Sequence, residues 1–491
     1  MKAVLLPLDE RPCNAQFPKL VTRTSDLELL IPEKKRLGDK KKAALFENIK
    51  DYLLRHTQVD AMVISIDMLL YGGLLPSRIH HLNKEKLQKR LELLKQLKEK
   101  NPQLKIYGFL CIMRCPSYNS SEEEPDYYEK YGFDLFQYGV YKDKQARHCL
   151  SEEENKKSFF HIPQEIITDY EHRRHVNVQM NQLVLSYLES GILDFLVIPQ
   201  DDSSPYGYTA MDQHQVLSTI KEKHLMTKCM VYPGADEVGM SLLTRAYNEY
   251  HHKHPKIYSF YSSTLGPTII PKYEDRPMFE TLKSHLLVTG ARLVRQYNQA
   301  DLILAINAPG KFMQESFDDI KDVTYDSFRN LSCFVEEIKE FMEEGYPVAL
   351  CDSAFSNGGD IDLIKRLDDE NCLDQLKAYA GWNTNANTLG TVIAQSLINS
   401  HNDPYHLIYR LLEDVFYQSK VRKYVIDNIL LEKGLGYYDF KDQQDTVEDC
   451  ICQLLLKEYA QLQLSSKYSI SSLTITMPWH RMFEIGMELT L

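Results

Sequence analysis

The chain has 491 residues and a formal net charge of −12, with 43% hydrophobic and 26% charged residues, which is ordinary for a globular protein with a large core. The acidic balance argues against nucleic acid or an anionic membrane as the main partner. The sequence contains no run of about 18 apolar residues, so no membrane-spanning helix is predicted. Ten cysteines without a framework spacing favour reduced thiols and a cytoplasmic location.

Short apolar segments alternate with amphipathic helices over the first 400 residues. The segments are apolar on both faces, as expected for parallel strands covered by helices. The predicted strands are 2–9, 61–67, 105–113, 195–200, 230–234, 257–262, 302–307, 347–351 and 376–381. Helical patterns such as 84–100 and 328–344 lie between them. This repeated order predicts parallel sheet with crossover helices.

The number of strand–helix units favours a (β/α)₈ barrel of the TIM type over residues 1–400. A long, irregular insertion is predicted at about residues 114–175. Two doubly wound α/β domains are the alternative. Residues 401–491 are predicted to form a separate, mainly helical C-terminal region with a closing β element.

Polar residues follow the predicted strands and almost never precede them. Parallel α/β folds build their sites at the carboxyl ends of strands, so these residues are candidates for binding a substrate. A single acid in this place is more often the N-cap of the next helix. The candidate substrate-binding residues are Asp9, Arg11, Asn14, Asp67, Tyr71, Arg78, Arg114, Tyr206, Asn307, Asp352, Asn357, Trp382, Asn383 and Asn385.

Two strand ends carry adjacent acids, Asp201-Asp202 and Asp236-Glu237, whereas a helix cap needs only one. Paired carboxyl groups suit hydrolysis of a glycosidic bond. One group is protonated and donates to the leaving oxygen, while the other is ionised and acts at the anomeric carbon or orients a substrate acetamide. We predict that these four residues are catalytic and that Asp201 and Asp202 form the leading pair.

Three further expectations concern ligands. Trp382 lies in a polar loop, which favours an indole platform for a sugar ring, with a semi-buried structural tryptophan as the equal alternative. Arg11 and Arg78 are expected to bind an anionic substituent. No zinc motif or nucleotide-binding loop is present, so no cofactor is predicted. Mg²⁺ or Mn²⁺ held by the strand-end acids is the alternative.

Five motifs together resemble one bacterial family. They are LPLDERPCN at 6–14, YGGL at 71–74 with Ser77-Arg78, QDD at 200–202, GADE at 234–237 and AGWNT at 380–384. On these residues the chain is similar, over nearly its whole length, to the family called domain of unknown function 4127. That resemblance implies no activity.

The strand end at Asp201-Asp202 also resembles the catalytic pair of O-GlcNAcase-type glycoside hydrolases, although Ser203-Ser204-Pro205 departs from that pattern. This resemblance implies that Asp201 orients an N-acetyl group and that Asp202 is the general acid. We therefore predict a glycoside hydrolase that acts on a 2-acetamido sugar, or a phosphorylated or other anionic sugar, with substrate-assisted retention. The alternatives are a metal-dependent hydrolase or lyase and a non-catalytic sugar-binding protein.

Overall fold

The protein is an α/β protein with two main parallel sheets, seen in a computed structural model that describes residues 1–156 and 160–491. The chain divides into two compact units. Unit 1 comprises Met1–Glu10, Leu27–Ala246 and Tyr273–Asp275, and unit 2 comprises Arg11–Asp26, Tyr247–Lys272 and Arg276–Leu491. Among the described residues, no helix combines the length and the apolar character that are needed to cross a membrane.

The sheet of unit 1 has six parallel strands in the order β2-β1-β3-β4-β5-β6. The strand order reverses after β2, which is the pattern of a doubly wound sheet. The strands are β1 (Lys2–Leu6), β2 (Glu28–Leu30), β3 (Ala61–Ser65), β4 (Lys105–Phe109), β5 (Phe195–Gln200) and β6 (Cys229–Pro233).

The helical stretch Lys84–Lys100 of unit 1 is amphipathic, with its leucine residues on one face. Leu87, Leu91 and Leu94 are buried within the Lys84–Lys100 stretch, while its lysine and glutamate residues are largely exposed. The helices are Phe46–Arg55, Ile66–Tyr71, Leu74–Ile79, Lys84–Leu91, Leu93–Lys100, Tyr128–Ala146, Glu152–Lys156, Gln164–Glu189, Tyr208–Glu222 and Val238–Tyr250, the last of which ends in unit 2.

The main sheet of unit 2 has five parallel strands in the order β13-β11-β9-β7-β8. Its strands are β7 (Lys256–Tyr261), β8 (Arg292–Leu293), β9 (Leu302–Asn307), β11 (Val348–Asp352) and β13 (Ala378–Ala380). Two small sheets pair β10 (Gln314–Glu315) with β12 (Phe355–Ser356) and β14 (Ser472–Thr476) with β15 (Gly486–Thr490). In both units the second strand lies on one side of the first and the later strands lie on the other.

Helices also make up most of the C-terminal part of unit 2. Residues 404–433 form one helical stretch that includes the π-helical segments Leu411–Val421 and Val425–Leu430. The remaining α-helices are Pro12–Ala15, Phe17–Val21, Met278–Thr289, Thr324–Ser327, Leu331–Glu343, Ile361–Asp369, Asn385–Ile398, Gln444–Tyr459 and Leu464–Lys467.

A single closed barrel is not confirmed. The predicted strands are all present, but they form two separate sheets, as in the alternative of two doubly wound domains. The strand–helix alternation is the same in both architectures, because periodicity identifies a strand without identifying its neighbours.

The predicted boundary at residue 400 also differs from the observed division into units. Residues 401–491 belong to unit 2 together with the second sheet. Asp414 explains part of this association, because its side chain accepts the Gly381 N–H at 2.8 Å and its carbonyl accepts the Gly359 N–H at 2.8 Å. The C-terminal helices are therefore bonded to the loops that follow the second sheet and do not form a separate region.

We expect the buried ring of His406 to make the stability of unit 2 depend on pH. Its ring is fully buried, and neither ring nitrogen has a hydrogen-bond partner among the described residues. Burial lowers the pKa of His406 from 6.5 to about 3. The unfolded chain therefore takes up a proton near pH 6.5 and the folded chain does not, so stability is lost as the pH falls below that value.

We expect His406→Leu to remove about 1.4 kcal/mol per pH unit from the pH dependence of the unfolding free energy between about pH 6 and pH 4. Urea denaturation at a series of pH values measures this slope. His401→Leu, at an exposed site, is the matched control and leaves the slope as in the wild type. Equal slopes in the wild type and in His406→Leu would contradict the assignment.

Candidate functional site

The carboxyl edge of the unit 1 sheet carries several of the predicted acids. Asp67 follows β3, but the helix cap there is Ser65, whose Oγ accepts the Met68 N–H at 3.1 Å. The Asp67 carboxyl group instead accepts the Cys111 N–H at 2.9 Å beyond β4. Burial raises the pKa of Asp67 to about 7. The capping explanation therefore does not account for this buried acid.

Asp201 and Asp202 follow β5, and each binds a different arginine. Arg78 Nη2 lies 2.5 Å from Asp201 Oδ2, and Arg114 Nη1 lies 3.0 Å from Asp202 Oδ2. Arg78 is 2% exposed and Arg114 is 8% exposed, so both guanidinium groups are held inside unit 1. The structure thus brings together four of the predicted site residues.

Glu124 joins the two arginines and was missed by the sequence analysis. Its Oε1 accepts from Arg78 Nη1 at 3.2 Å and from Arg114 Nε at 2.8 Å. The neighbouring Glu123 accepts from Arg114 Nη2 at 2.9 Å. Both acids belong to the acidic stretch of the predicted insertion. The signal that was available is the presence of two arginines beside strand ends, because buried arginines need acidic partners.

The surroundings of Asp202 favour its protonated form. Burial, and then the charge of Asp201, raise the pKa of Asp202 to about 6, although Arg114 and Arg78 act in the opposite direction. The Asp202 side chain is 28% exposed and its backbone has a φ of 45°, in the left-handed region. An acid that holds a proton near neutral pH and reaches solvent can serve as a proton donor.

The second acid pair, Asp236-Glu237, is less accessible. Glu237 is fully buried, accepts the Ala235 N–H at 3.0 Å, and has its pKa raised by burial to about 8. Gly234 beside it has a φ of 142°, a backbone conformation that favours glycine, and its lack of a Cβ lets Glu237 approach closely. Burial raises the pKa of the Cys111 thiol most, and the negative charges of Asp67, Asp201 and Asp236 raise it further. Asp236 therefore lies near the other two strand-end acids.

Of the three other predicted residues of unit 1, Asp9 and Tyr71 are buried and Tyr206 lies against a helix. Asp9 is 2% exposed after β1. The Tyr71 hydroxyl has no hydrogen-bond partner among the described residues, and burial, followed by the charge of Asp67, raises its pKa. Tyr206 instead contacts Lys144 at 5.1 Å and Arg147 at 5.5 Å from the ring centroid. Tyr206 therefore packs against a helix and not against the aspartate pair.

Unit 2 has its own polar cluster at the carboxyl edge of its sheet. Asn307 Nδ2 donates to Asp352 Oδ1 at 2.9 Å and to Asp360 Oδ2 at 3.3 Å. Asp352 also accepts from the Tyr379 hydroxyl at 3.0 Å. Burial, then the charge of Asp360, raise the pKa of Asp352 to about 7. Asp360 and Tyr379 were not among the predicted site residues.

The asparagines that follow β12 and β13 hold loops in place. Asn357 donates its side-chain amide to Glu315 at 2.8 Å and its backbone N–H to the Asn383 carbonyl at 2.7 Å. Both Asn357 and Asn383 have positive φ, of 55° and 53°. Asn385 is 1% exposed at the start of the helix Asn385–Ile398. These bonds give Asn357 and Asn383 a structural role, while substrate binding by the three asparagines stays a prediction.

The burial of Trp382 contradicts its predicted role as a sugar platform. The residue is 5% exposed, its ring packs edge-on against Phe17 at 5.3 Å, and its Nε1 donates to Thr391 Oγ1 at 3.0 Å. The polar neighbours that suggested a cleft are thus partners of a core indole. Only the structural alternative agrees with this packing.

Arg11 and Asn14 are also buried in unit 2, at 5% exposure each. The Arg11 guanidinium lies 4.5 Å from the centroid of the Trp479 ring, and its Nη1 lies 3.7 Å from Glu484 Oε1. Arg481 covers the same indole at 4.6 Å. Arg11 thus contacts residues between the antiparallel strands β14 and β15. Its binding of an anion remains a prediction.

Within residues 1–156 and 160–491, no group of three or more histidine, cysteine or acidic side chains is arranged to hold a metal ion. Binding of Mg²⁺ or Mn²⁺ by the strand-end acids stays a hypothesis from the sequence.

Comparisons with known proteins identify a family but no activity. No curated protein matches the chain. A rice β-glucosidase mutant in covalent complex with glucose is 11% identical, with 72% of this chain and 75% of that chain covered and a TM-score of 0.18. The carboxyl transferase domain of Rhizobium etli pyruvate carboxylase with 3-bromopyruvate is also 11% identical, with 95% and 62% covered and a TM-score of 0.17. Scores this low carry no argument about fold or function. The family match covers residues 3–488, and the chain therefore belongs to the family of proteins of unknown function DUF4127.

Proposed function

We propose that unit 1 hydrolyses a glycosidic bond with Asp202 as the general acid and Asp201 as its ionised partner. The observation that carries the proposal is the placement of two adjacent carboxyl groups at the end of one strand, each bonded to a buried arginine. Arg78 Nη2 lies 2.5 Å from Asp201 Oδ2, and Arg114 Nη1 lies 3.0 Å from Asp202 Oδ2. Burial raises the pKa of Asp202 to about 6, which suits a proton donor. Glycoside hydrolysis requires such a donor beside a second carboxyl group.

The proposed substrate is a 2-acetamido sugar. In the first step Asp202 gives its proton to the leaving oxygen while the acetamide oxygen, oriented by Asp201, attacks the anomeric carbon and the glycosidic bond breaks. In the second step the Asp202 carboxylate takes a proton from water, which attacks the anomeric carbon and releases the acetamide oxygen. Arg78 and Arg114 position the two acids in this proposal, because their guanidinium groups already bind carboxylates.

Hydrolysis of aryl 2-acetamido glycosides, with and without a sugar phosphate group, tests the proposal. We expect Asp202→Asn to lower kcat/KM at least about a hundredfold, because general acid catalysis contributes roughly 10²–10⁴-fold. The wild-type rate is expected to fall as the pH rises through about 6, where Asp202 loses its proton. A charge-matched control is Asp51→Asn, on an exposed helix face, which leaves the rate unchanged. Equal rates for the wild type and Asp202→Asn, or no hydrolysis of any of these glycosides, would contradict the proposal.

A further inference from the structure

Unit 2 contains a polar pocket of about 730 Å³ at the carboxyl end of β7. Ser262, Ser263 and Thr264, which directly follow β7, form one side of it. In this sheet β8 lies on one side of β7 and β9 lies on the other, so the strand order reverses at β7. Ligands of doubly wound sheets bind outside the carboxyl ends of the strands at such a reversal. The volume lies within the usual range for a small-molecule site.

Arg329 presents a fixed guanidinium group in the wall of this pocket. Its side chain is 6% exposed, and it donates to Asp360 at 2.8 Å, to Asn307 at 3.3 Å and to the Tyr325 carbonyl at 3.0 Å. The guanidinium also lies over the Tyr325 ring, 4.9 Å from its centroid. These bonds use Nε and Nη1, whereas Nη2 donates to none of the described residues. An arginine so restrained loses little further freedom when it binds a ligand.

Arg366 lines the same pocket from the helix Ile361–Asp369. Its Nε donates to Asp362 at 3.0 Å and its Nη1 donates to Ser332 Oγ at 3.2 Å. Its Nη2, like that of Arg329, donates to none of the described residues. The pocket is thus lined by two guanidinium groups whose Nη2 atoms donate to none of the described residues. Planar guanidinium groups match the oxygens of phosphate and carboxylate.

The helix Leu331–Glu343 begins at this pocket. Asn330 and Ser332 line the pocket at this helix end, and Asn330 Oδ1 accepts the Cys333 N–H at 3.0 Å. The helix has 13 residues, so the partial positive charge of its N-terminus favours a negatively charged group.

Two acids also line the pocket. Asp362 is bonded to Arg366, and Asp326 is exposed. The pocket is therefore close to neutral overall. Recognition here depends on directed donors and hydroxyl groups and not on an excess of positive charge.

We propose that this pocket binds a small molecule through an oxyanion, a phosphate or a carboxylate, held by Arg329, Arg366 and the start of the helix Leu331–Glu343. The hydroxyl groups of Ser263 and Thr264 would contact the rest of the ligand, because the Ser262 hydroxyl already donates to Asn307 Oδ1 at 2.8 Å. The proposal concerns unit 2 alone and does not depend on the hydrolytic role proposed for unit 1.

Calorimetric titration of the full chain with inorganic phosphate and with acetate tests this site. We expect saturable binding of one of them, and the tighter of the two identifies the oxyanion as phosphate or carboxylate. Arg366→Gln should weaken this binding at least about tenfold, because it removes a charged hydrogen-bond donor from the oxyanion. Arg366 is 43% exposed, so this variant is expected to fold.

Arg295→Gln is the charge-matched control, because Arg295 is exposed and does not line the pocket. It should bind phosphate and acetate as the wild type does. No saturable binding of either ion, or binding by Arg366→Gln equal to that of the wild type, would overturn the proposal. Binding that Arg295→Gln weakens as much as Arg366→Gln would also overturn it, since net charge alone would then explain the loss.

Discussion

Replacing Arg78 by methionine is expected to lower the free energy of unfolding of unit 1 by about 3–5 kcal/mol, the usual cost of removing one partner of a buried ion pair. Arg78 is 2% exposed and bonds Asp201 at 2.5 Å and Glu124 at 3.2 Å. Without the guanidinium, Glu124 keeps the bond to Arg114 alone among the described residues, and Asp201 loses its bonded cation. Urea denaturation followed by far-UV circular dichroism measures the loss.

Arg55→Met is the matched control for this prediction. Arg55 is 73% exposed and lies 3.9 Å from Asp51, so its loss should cost less than about 1 kcal/mol. The double variant Arg78→Met/Glu124→Gln should be more stable than the sum of the two single variants predicts, because the second change removes an acid that the first left underpaired. A cost for Arg78→Met no larger than that for Arg55→Met would show that the network does not stabilise unit 1.

The strands could be predicted well because each is a run of apolar residues that ends at polar ones. β5 and β9 have the predicted bounds, 195–200 and 302–307. The short edge strands β2 and β8 were missed, since three and two partly exposed residues carry no clear period. Strand order was also beyond the sequence pattern, because pairing depends on contacts between segments that are distant in the chain.

The candidate site was predicted in part for a related reason. Asp201 and Asp202 could be found because they directly follow a strand, and strand ends are local features of the sequence. Glu124 could not be found in this way, because it lies in an irregular segment and reaches the site only through Arg78 and Arg114. An acid-rich segment looks like an exposed surface until its cationic partners are known.

The polar residues next to Trp382 in the chain suggested an exposed cleft, but the residue is buried. Its covering side chain, Phe17, comes from a helix near the start of the chain and contacts the indole at 5.3 Å. Thr388 and Thr391 lie on the following helix and satisfy its backbone and indole groups. The polar residues therefore complete a buried environment.

Trp382→Ala is therefore expected to destabilise unit 2 by about 3–5 kcal/mol, the cost of a large-to-small change at a buried aromatic residue. Trp382→Phe keeps a ring against Phe17 but removes the bond to Thr391, so a loss of about 1–2 kcal/mol is expected. Both tryptophans lie in unit 2, and Trp479 remains as a fluorescent reporter of its unfolding in either variant.

Tyr424→Ala supplies the control for Trp382→Ala, because Tyr424 is an aromatic residue of the same unit that is 49% exposed. Its truncation should change the unfolding free energy by less than about 1 kcal/mol. A sugar platform would behave in the opposite way to a core residue. Its ring would be exposed, so Trp382→Ala would abolish ligand binding and leave stability close to that of Tyr424→Ala. Unfolding of Trp382→Ala at clearly lower urea than Tyr424→Ala distinguishes the core role from the platform role.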